Sequence, residues 1–400
     1  MTQPDPTSAA IVAASYTPPV NLPASMPIFE SAAWSFRDLD ELDAVRAKAQ
    51  PGVFYGSFGV PNHDALESLG CVLERAEAAV AVNGGMTAIF GALFTHLRPG
   101  DRIVASHHLF GPTLQLLTEL RRHDIVTTLV DGCDLAAVDR ALAEPARVVL
   151  VETMSNPRLR VPDIPALASL AHDAGALLFV DNTFASPAVC RPLEHGADLV
   201  LESLTKFVVG HYDALGGLVA GSSELVEPVR ANAFLTGWLT GPFEAWLAVR
   251  GAQTLGVRVR QASENAAALA DWLADRGEVT AVHYPGRSDH PDHAVARRIL
   301  APGTDGAMLS FELDGGRDEI NRMLHAFEHI RLVASLGGVA TTINSPVSAS
   351  HRDIDDETRE RAGIHPKLLR LSVGIEDLAT LQADLARGLG AVTSASALAH

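Results

Sequence analysis

The chain has 400 residues and is 47% hydrophobic, which supplies enough apolar surface for a large core and excludes a mostly disordered protein. Its 31 Lys and Arg against 48 Asp and Glu give a formal charge of −17, which disfavours nucleic acid and anionic membranes as partners. We therefore expect a small-molecule substrate, and the length predicts two or three domains at about 150 residues each.

The first 45 residues or so are rich in Pro, Ser and Thr and show no sustained helical or strand period, which predicts an extended arm that packs on another surface. The start has no basic segment and is interrupted by proline, unlike a secretory signal. No apolar run reaches the roughly 18 residues that span a bilayer. Cys71, Cys133 and Cys190 are scattered without paired spacing, as in proteins of a reducing compartment. These features predict a cytoplasmic protein.

From about residue 80, short apolar runs alternate with helical patterns. The apolar runs, which are typical of parallel strands buried on both faces, lie at 102–106, 146–153, 176–182 and 197–203. The helical patterns lie at 86–98, 112–122, 134–143 and 165–174. This alternation predicts an α/β domain with a mostly parallel sheet and right-handed crossovers.

A long helical pattern follows at 243–275, although Gly251 and Gly256 interrupt it. Beyond it, the order of strand and helix patterns predicts a smaller α+β domain. Those patterns lie at 281–286, 306–313, 317–328 and 368–374. We place the domain boundaries at 51–245 and 246–400, after an arm at 1–50.

Three polar motifs occur where strands or helices of the α/β domain begin or end. Asn83-Gly84-Gly85-Met86 opens a helix and could bind a phosphate with its backbone N–H groups, or could be an ordinary turn. Asp181 ends an apolar strand and could hold a ligand cation or cap the next segment. Another strand is followed by Ser203, Thr205 and Lys206. This lysine could form a Schiff base, or it could lie in a surface loop that follows the strand.

Together, the three motifs match what pyridoxal 5′-phosphate (PLP) requires of a protein. The glycine turn and the hydroxyls would anchor the phosphate, a carboxylate would keep the ring nitrogen protonated, and a lysine would bind the aldehyde. The combination is far more specific than any one motif.

Longer segments also resemble the cysteine/methionine-metabolism family of PLP enzymes. This family includes cystathionine γ-synthase, the cystathionine lyases, methionine γ-lyase and O-acylhomoserine sulfhydrylases. The matching segments are 55–67, 83–89, 152–164, 180–187, 198–213, 284–293, 335–351 and 368–378. The resemblance implies PLP fold type I, with a large cofactor domain and a smaller C-terminal domain.

The resemblance also implies roles for the site residues. Lys206 would carry the cofactor as a Schiff base and move the α and β protons of the substrate, and Asp181 would pair with the pyridine nitrogen. Arg370 would form a two-pronged salt bridge with the substrate α-carboxylate, near Ser335 and Asn156, and Asn156 would also contact the ring 3-oxygen.

The remaining implied contacts concern the ring and phosphate of the cofactor. Phe110 would stack on the ring. The phosphate would be held by the Gly85 and Met86 amides and the Ser203 and Thr205 hydroxyls. Relatives are homotetramers, built as dimers of active dimers, in which the segment matching Tyr55 reaches the phosphate of a neighbour. This gives the N-terminal arm a neighbouring subunit to contact.

The chain departs from the family pattern at four positions. Ser57 replaces the phosphate-binding arginine, and Ala340 replaces a glutamate common in cystathionine-handling members. Pro112 replaces the cysteine of methionine γ-lyases. Phe110 replaces the ring-stacking tyrosine and cannot carry a proton to a leaving group.

These departures favour a PLP-dependent γ-elimination or γ-replacement on an L-amino acid, with a homoserine ester, thioether or halide type of γ-substituent. Alternatives are β-elimination, a catalytically weakened cofactor-binding homologue, and an aminotransferase. We expect no metal site, because His283, His290 and His293 fit no usual tetrahedral spacing, and the His107-His108 pair is interpreted as ordinary loop chemistry.

Overall fold

The computed structural model describes residues 21–393, so the first 20 residues of the predicted arm lie outside the described residues. The helices in chain order are α1 (Leu39–Arg46), α2 (Pro61–Glu74), α3 (Gly85–His96), α4 (Gly111–Glu119), α5 (Leu135–Leu142), α6 (Ile164–Asp173), α7 (Ser223–Thr236), α8 (Pro242–Ala252), α9 (Leu255–Ala274), α10 (His293–Ile299), α11 (Arg317–Ala326), α12 (Asp356–Arg361) and α13 (Leu378–Thr393).

The strands form two sheets. In chain order they are β1 (Ala78–Val82), β2 (Arg102–Ser106), β3 (Val126–Val130), β4 (Val148–Glu152), β5 (Leu177–Asp181), β6 (Leu199–Glu202), β7 (Gly217–Gly221), β8 (Val279–His283), β9 (Met308–Leu313), β10 (Arg331–Leu332), β11 (Thr342–Asn344) and β12 (Leu368–Ser372). The large sheet has the order β1-β7-β6-β5-β4-β2-β3, and the small sheet has the order β10-β11-β12-β9-β8.

The large sheet is parallel except for β7, which runs antiparallel to both of its neighbours. Its central strands are apolar throughout because each face carries a core. On β4, Val149 and Val151 pack into the core on one face, while Val148 and Leu150 pack into the core on the other. The predicted α/β class and mostly parallel sheet are confirmed.

The small sheet is antiparallel except where β10 joins β11. Helix α9 connects the two cores: Leu255 and Val259 pack with the large sheet, while Leu269 and Leu273 pack with the small one. The division near residue 245 stays a prediction.

The helical pattern at 243–275 forms two helices, α8 and α9, and not one. At Gly251 the helix passes so close to the segment between β6 and β7 that a Cβ would lie 2.3 Å from the Val209 carbonyl oxygen. The helix ends one residue later, at Ala252, and restarts at Leu255.

The arm is not extended throughout. Asp38 caps α1 by accepting a hydrogen bond from the Glu41 N–H, so a short helix forms without a long apolar period. Before it, the Pro27 carbonyl accepts from Asn62 Nδ2 at 3.0 Å and the Met26 carbonyl accepts from Trp246 Nε1 at 2.8 Å. The described part of the arm therefore contacts α2 and α8 of its own chain, and its contact with a neighbour stays a prediction.

Cys71, Cys133 and Cys190 form no disulfide bonds. Over residues 21–393, none of the helices combines the length and apolar character needed to cross a membrane.

Candidate active site

A cavity of about 300 Å³ opens at the carboxyl ends of the large sheet's central strands, where ligands bind in open α/β sheets. The small sheet closes one side of it through Arg370. Its lining includes most of the residues predicted from the sequence: Gly85, Met86, Phe110, Asn156, Asp181, Ser203, Thr205, Lys206 and Arg370.

The N-terminus of α3 forms one end of the cavity. The first N–H groups of a helix have no partner within it, and here no side chain caps them either. Glycine is required at position 85, because a Cβ there would lie 2.5 Å from Ser203 Cβ. The close approach places unpaired N–H groups beside the Ser203 hydroxyl, an arrangement that suits an anion such as phosphate.

Two carboxylates stand side by side on the cavity floor. Asp181 ends β5 and Glu152 ends β4, and the two residues are direct partners in the sheet. Burial raises the pKa of both carboxyls, and the Asp181 charge raises that of Glu152 further. Asp181 Oδ1 accepts a hydrogen bond from the Thr183 N–H at 2.9 Å.

Glu152 is the site residue that sequence reasoning missed. Its Oε1 accepts from the Phe110 N–H at 2.6 Å and its Oε2 accepts from the Asn156 N–H at 2.9 Å. It therefore fixes the backbone of two predicted site residues. The available signal was the same as for Asp181, an acidic residue that ends a buried apolar strand.

Lys206 Nζ donates a hydrogen bond to Ser335 Oγ at 3.0 Å, which brings the predicted Ser335 to the site. Burial, with a smaller contribution from the Arg370 charge, lowers the pKa of Lys206 to about 8. The amine is therefore far easier to deprotonate than an exposed lysine, whose pKa is about 10.4.

We predict that Lys206 in the cofactor-free protein becomes reactive toward acetic anhydride with a midpoint near pH 8. Only the neutral amine is acylated, so the rate should rise as the pH passes through the lowered pKa. The measurement is the extent of Lys206 acetylation by mass spectrometry, with a free lysine amide as the internal standard. A Lys206 midpoint equal to that of the standard would contradict the buried environment.

Arg370 reaches the cavity because it lies in the middle of β12. Its neighbours Leu369 and Leu371 point into the small-sheet core, so the alternation of the strand turns Arg370 to the opposite face. Its Nη1 donates to Asn156 Oδ1 at 2.8 Å, and its guanidinium lies 5.5 Å from the centre of the Phe184 ring. Burial lowers the pKa of Arg370 to about 10, and its buried Nε has no hydrogen-bond partner. An anionic ligand would satisfy it.

Tyr55 is the one predicted site residue that the structure does not bring to the cavity. It is 47% exposed and lies between the arm and α2. Its role at a neighbour's phosphate stays a prediction.

His283 and His293, which the sequence places close together, have separate hydrogen-bond partners in the structure. His283 Nε2 lies 2.9 Å from Glu312 Oε1, whereas His293 Nδ1 bonds the Pro285 carbonyl. Among residues 21–393, the group with donor atoms close enough to hold a metal ion is His107, His108 and Asp131. His108 Nε2 lies 3.3 Å from Asp131 Oδ1, so a contact within the group accounts for their closeness.

The cavity fits PLP with a bound amino acid. The α3 terminus offers an anion cradle and Asp181 offers a buried carboxylate. Lys206 offers an amine of lowered pKa, and Arg370 offers a buried Nε–H group without a hydrogen-bond partner. This fold and this cavity define a PLP-dependent enzyme of fold type I.

Comparison with known proteins gives the family. The chain belongs to the family of Cys/Met metabolism PLP-dependent enzymes, whose family model matches residues 8–390. It is 37% identical over 369 residues to L-methionine gamma-lyase of Fusobacterium nucleatum, covering 91% of this chain and 93% of the relative. It is 38% identical over 366 residues to O-succinylhomoserine sulfhydrylase of Pseudomonas aeruginosa, covering 91% and 90%.

A solved structure agrees with this placement. Cystathionine gamma synthase of Xanthomonas oryzae, in complex with aminoacrylate and cysteine, superposes with a TM-score of 0.88 at 37% identity, covering 92% of this chain and 94% of that one. The chain is therefore a PLP-dependent lyase or transferase of cysteine and methionine metabolism.

Proposed function

We propose that the enzyme eliminates or replaces the γ-substituent of an L-amino acid, and that the substituent leaves as a weakly basic anion such as an acyl carboxylate or a halide. The observation that carries this proposal is Phe110. It lines the cavity where the family carries a proton-bearing tyrosine, and its ring has no proton to give. We assign Glu152 a structural role, because its two oxygens hold the Phe110 and Asn156 backbones.

The residues that would hold the cofactor surround the cavity. Asp181 would pair with the ring nitrogen, Asn156 with the 3-oxygen, and Phe110 would stack on the ring. The phosphate would be bound by Gly85, Met86, Ser203 and Thr205. Bound PLP withdraws electrons from the α-carbon of an amino acid attached to it.

Arg370 would orient the substrate. Its guanidinium binds the α-carboxylate through two N–H groups, a geometry that lysine cannot reproduce. Asn156 Oδ1 fixes one Nη, and the Ser335 carbonyl accepts from the other at 3.4 Å. The substrate side chain would then extend along the apolar part of the lining, which includes Leu336.

Lys206 would transfer the protons. Its lowered pKa leaves a useful fraction of neutral amine near neutral pH, so it can accept a proton from the α-carbon and, once it has given that proton up, accept a second one from the β-carbon. An ester or halide group at the γ-carbon can leave as its anion without further protonation. A thiolate is more basic and needs a proton donor.

The relatives support γ-chemistry, since the similar proteins include a methionine gamma-lyase and an O-succinylhomoserine sulfhydrylase. The test is to incubate the holoenzyme with O-acylhomoserines, γ-halogenated amino acids, methionine and cystathionine, with and without an added thiol. From the ester and halide substrates we expect 2-oxobutyrate and ammonia when no thiol is added, or a new thioether when a thiol is present. Release of pyruvate from cystathionine alone would indicate β-elimination instead, and no product from any substrate would indicate a weakened homologue.

Phe110→Tyr is expected to raise the turnover of thioether substrates relative to ester substrates by about 10-fold or more, because a positioned proton donor contributes about 10²–10⁴-fold where it is needed. The measurement is kcat/KM for cystathionine and for O-acetylhomoserine in both enzymes. Phe184→Tyr, a second aromatic substitution in the lining, is the matched control. A parent that already cleaves thioethers well, and a variant that gains nothing, would refute the leaving-group proposal.

We also propose that the active assembly is a homotetramer in which the segment around Tyr55 approaches a neighbour's phosphate site. Tyr55 and Phe58 are each 47% exposed in the single chain, which supports a partner at this surface.

A further inference from the structure

Two glutamates that the proposed reaction does not use lie buried beneath Asp181. Glu74 is the last residue of α2 and is fully buried, and Glu202 is the last residue of β6 and is 3% exposed. A buried carboxylate is costly unless a charge or several hydrogen bonds satisfy it, so two neighbouring ones require an explanation.

If the Glu74 and Glu202 carboxyls are both ionised, one oxygen of Glu74 lacks a hydrogen bond. Its Oε1 accepts from Asn182 Nδ2 at 2.9 Å, but its buried Oε2 then has no hydrogen-bond partner. Burial raises the pKa of Glu74, and a side-chain hydrogen bond from Glu202 lowers it by less. Two carboxylates cannot bond each other, whereas a carboxylic acid and a carboxylate can, so one proton completes the arrangement.

Asn182 joins this pair to the site. Its Nδ2 also donates to the Cys190 carbonyl at 2.9 Å, and its Oδ1 accepts from the Thr153 hydroxyl at 2.8 Å. Its backbone N–H donates to the Leu201 carbonyl at 2.8 Å. Asn182 is therefore held on every side, and it directly follows Asp181 in the chain.

We propose that Glu74 and Glu202 share one proton at neutral pH, and that the pair, acting through Asn182, is a positioning unit for Asp181. The neutral member also avoids a further full charge beside Asp181, which would oppose its ionisation. The role toward Asp181 rests on the proposed function, whereas the shared proton does not.

The surroundings of the pair favour proton retention. The charged groups that face it are Asp181, Arg191 and Glu194. Burial and the Glu74 and Asp181 charges raise the pKa of Glu202, and burial raises the pKa of Glu74 to about 7. Since an unfolded glutamate titrates at about 4.3, the folded protein keeps a proton that the unfolded chain loses. Stability from this pair is therefore complete below about pH 4.3 and is lost as the pH rises through about 7.

The first test uses the cofactor-free protein, with Glu202→Gln and Glu74→Gln as nearly isosteric variants and the exposed Glu264→Gln as control. In the parent and the control we expect the infrared C=O band of protonated carboxylic acids at pH 6, to which Glu152 also contributes, and we expect Glu202→Gln to lower its intensity by one carboxyl group. On unfolding at pH 6, Glu202→Gln should release about one proton fewer than the parent, because the glutamine amide donates to Glu74 without a titrating proton. A variant with the band and proton release of the parent would overturn the shared proton.

The second test concerns positioning. Glu74→Gln keeps an oxygen for Asn182, whereas Glu74→Ala removes it and should weaken PLP binding to the cofactor-free protein by about 2- to 10-fold, the effect of one hydrogen bond. The measurement is the PLP dissociation constant by equilibrium dialysis, and Glu202→Ala serves as a second variant if Glu74→Ala does not fold. PLP binding unchanged in the folded alanine variant would overturn the positioning role. An infrared band weaker by one carboxyl group in Glu202→Gln would still establish the shared proton, even if the enzyme proved to catalyse another reaction.

Discussion

Replacing Lys206 with alanine is expected to lower kcat on the best γ-substituted amino acid by at least about 1,000-fold, because general acid–base catalysis alone contributes about 10²–10⁴-fold. The amine would hold the cofactor, and its pKa of about 8 lies near the working range. The measurement is keto-acid release with saturating PLP, together with the absorption spectrum of the bound cofactor.

The controls separate chemistry from folding. Lys367→Ala removes a lysine whose side chain is half exposed at the surface and should behave as the parent does. Lys206→Arg keeps a cation at the site but not an amine that can lose its proton near neutral pH. Lys206→Ala with turnover comparable to that of Lys367→Ala would contradict both the assignment of Lys206 and the enzyme mechanism built on it.

The fold could be predicted where buried strands left a strong pattern. The runs that became β2, β4, β5 and β6 are apolar because both faces of each strand are covered. The pattern fails for β7, whose glycines resemble a loop. It also fails for the edge strand β3, in which two adjacent threonines lie between the exposed Val126 and Leu129. Neither strand carries enough local signal to be separated from its surroundings.

The candidate site was predictable for a related reason. Residues that end adjacent parallel strands meet at one edge, so Asp181 and the segment at 203–206 come together without knowledge of the loops. The formal charge of −17 is an average over the chain and concealed a cavity built around Lys206 and Arg370.

What the sequence could not indicate is the pairing of groups that are distant along the chain. Glu74 and Glu202 are ordinary acidic residues in the sequence, and only the packing of α2 against the large sheet buries them together. The two hydrogen bonds of Glu152 depend on loops whose conformation no local pattern specifies.

Replacing Arg370 with alanine is expected to lower kcat/KM by about 30- to 3,000-fold, the equivalent of about 2–5 kcal/mol for truncating one partner of a buried charge pair. The unsatisfied Nε and the Nη groups of Arg370 are the donors placed to receive a substrate carboxylate. Arg370→Lys keeps the positive charge but lacks the two parallel N–H donors of the guanidinium, so it should recover only part of the lost kcat/KM.

A substrate without the carboxylate makes this prediction specific. The parent should discriminate strongly between O-acetylhomoserine and the matching amine, 3-acetoxypropylamine, in kcat/KM. In Arg370→Ala that discrimination should nearly vanish, because the variant has lost the group that recognises the difference. A purely structural role for Arg370 would slow both substrates equally and leave the ratio of the parent unchanged. Since Asn156 Oδ1 accepts from Arg370 at 2.8 Å, Asn156→Ala should lower the ratio to an intermediate value. A kcat/KM ratio that falls from the parent through Asn156→Ala to Arg370→Ala would identify Arg370 as the carboxylate-binding residue and Asn156 as the residue that orients it.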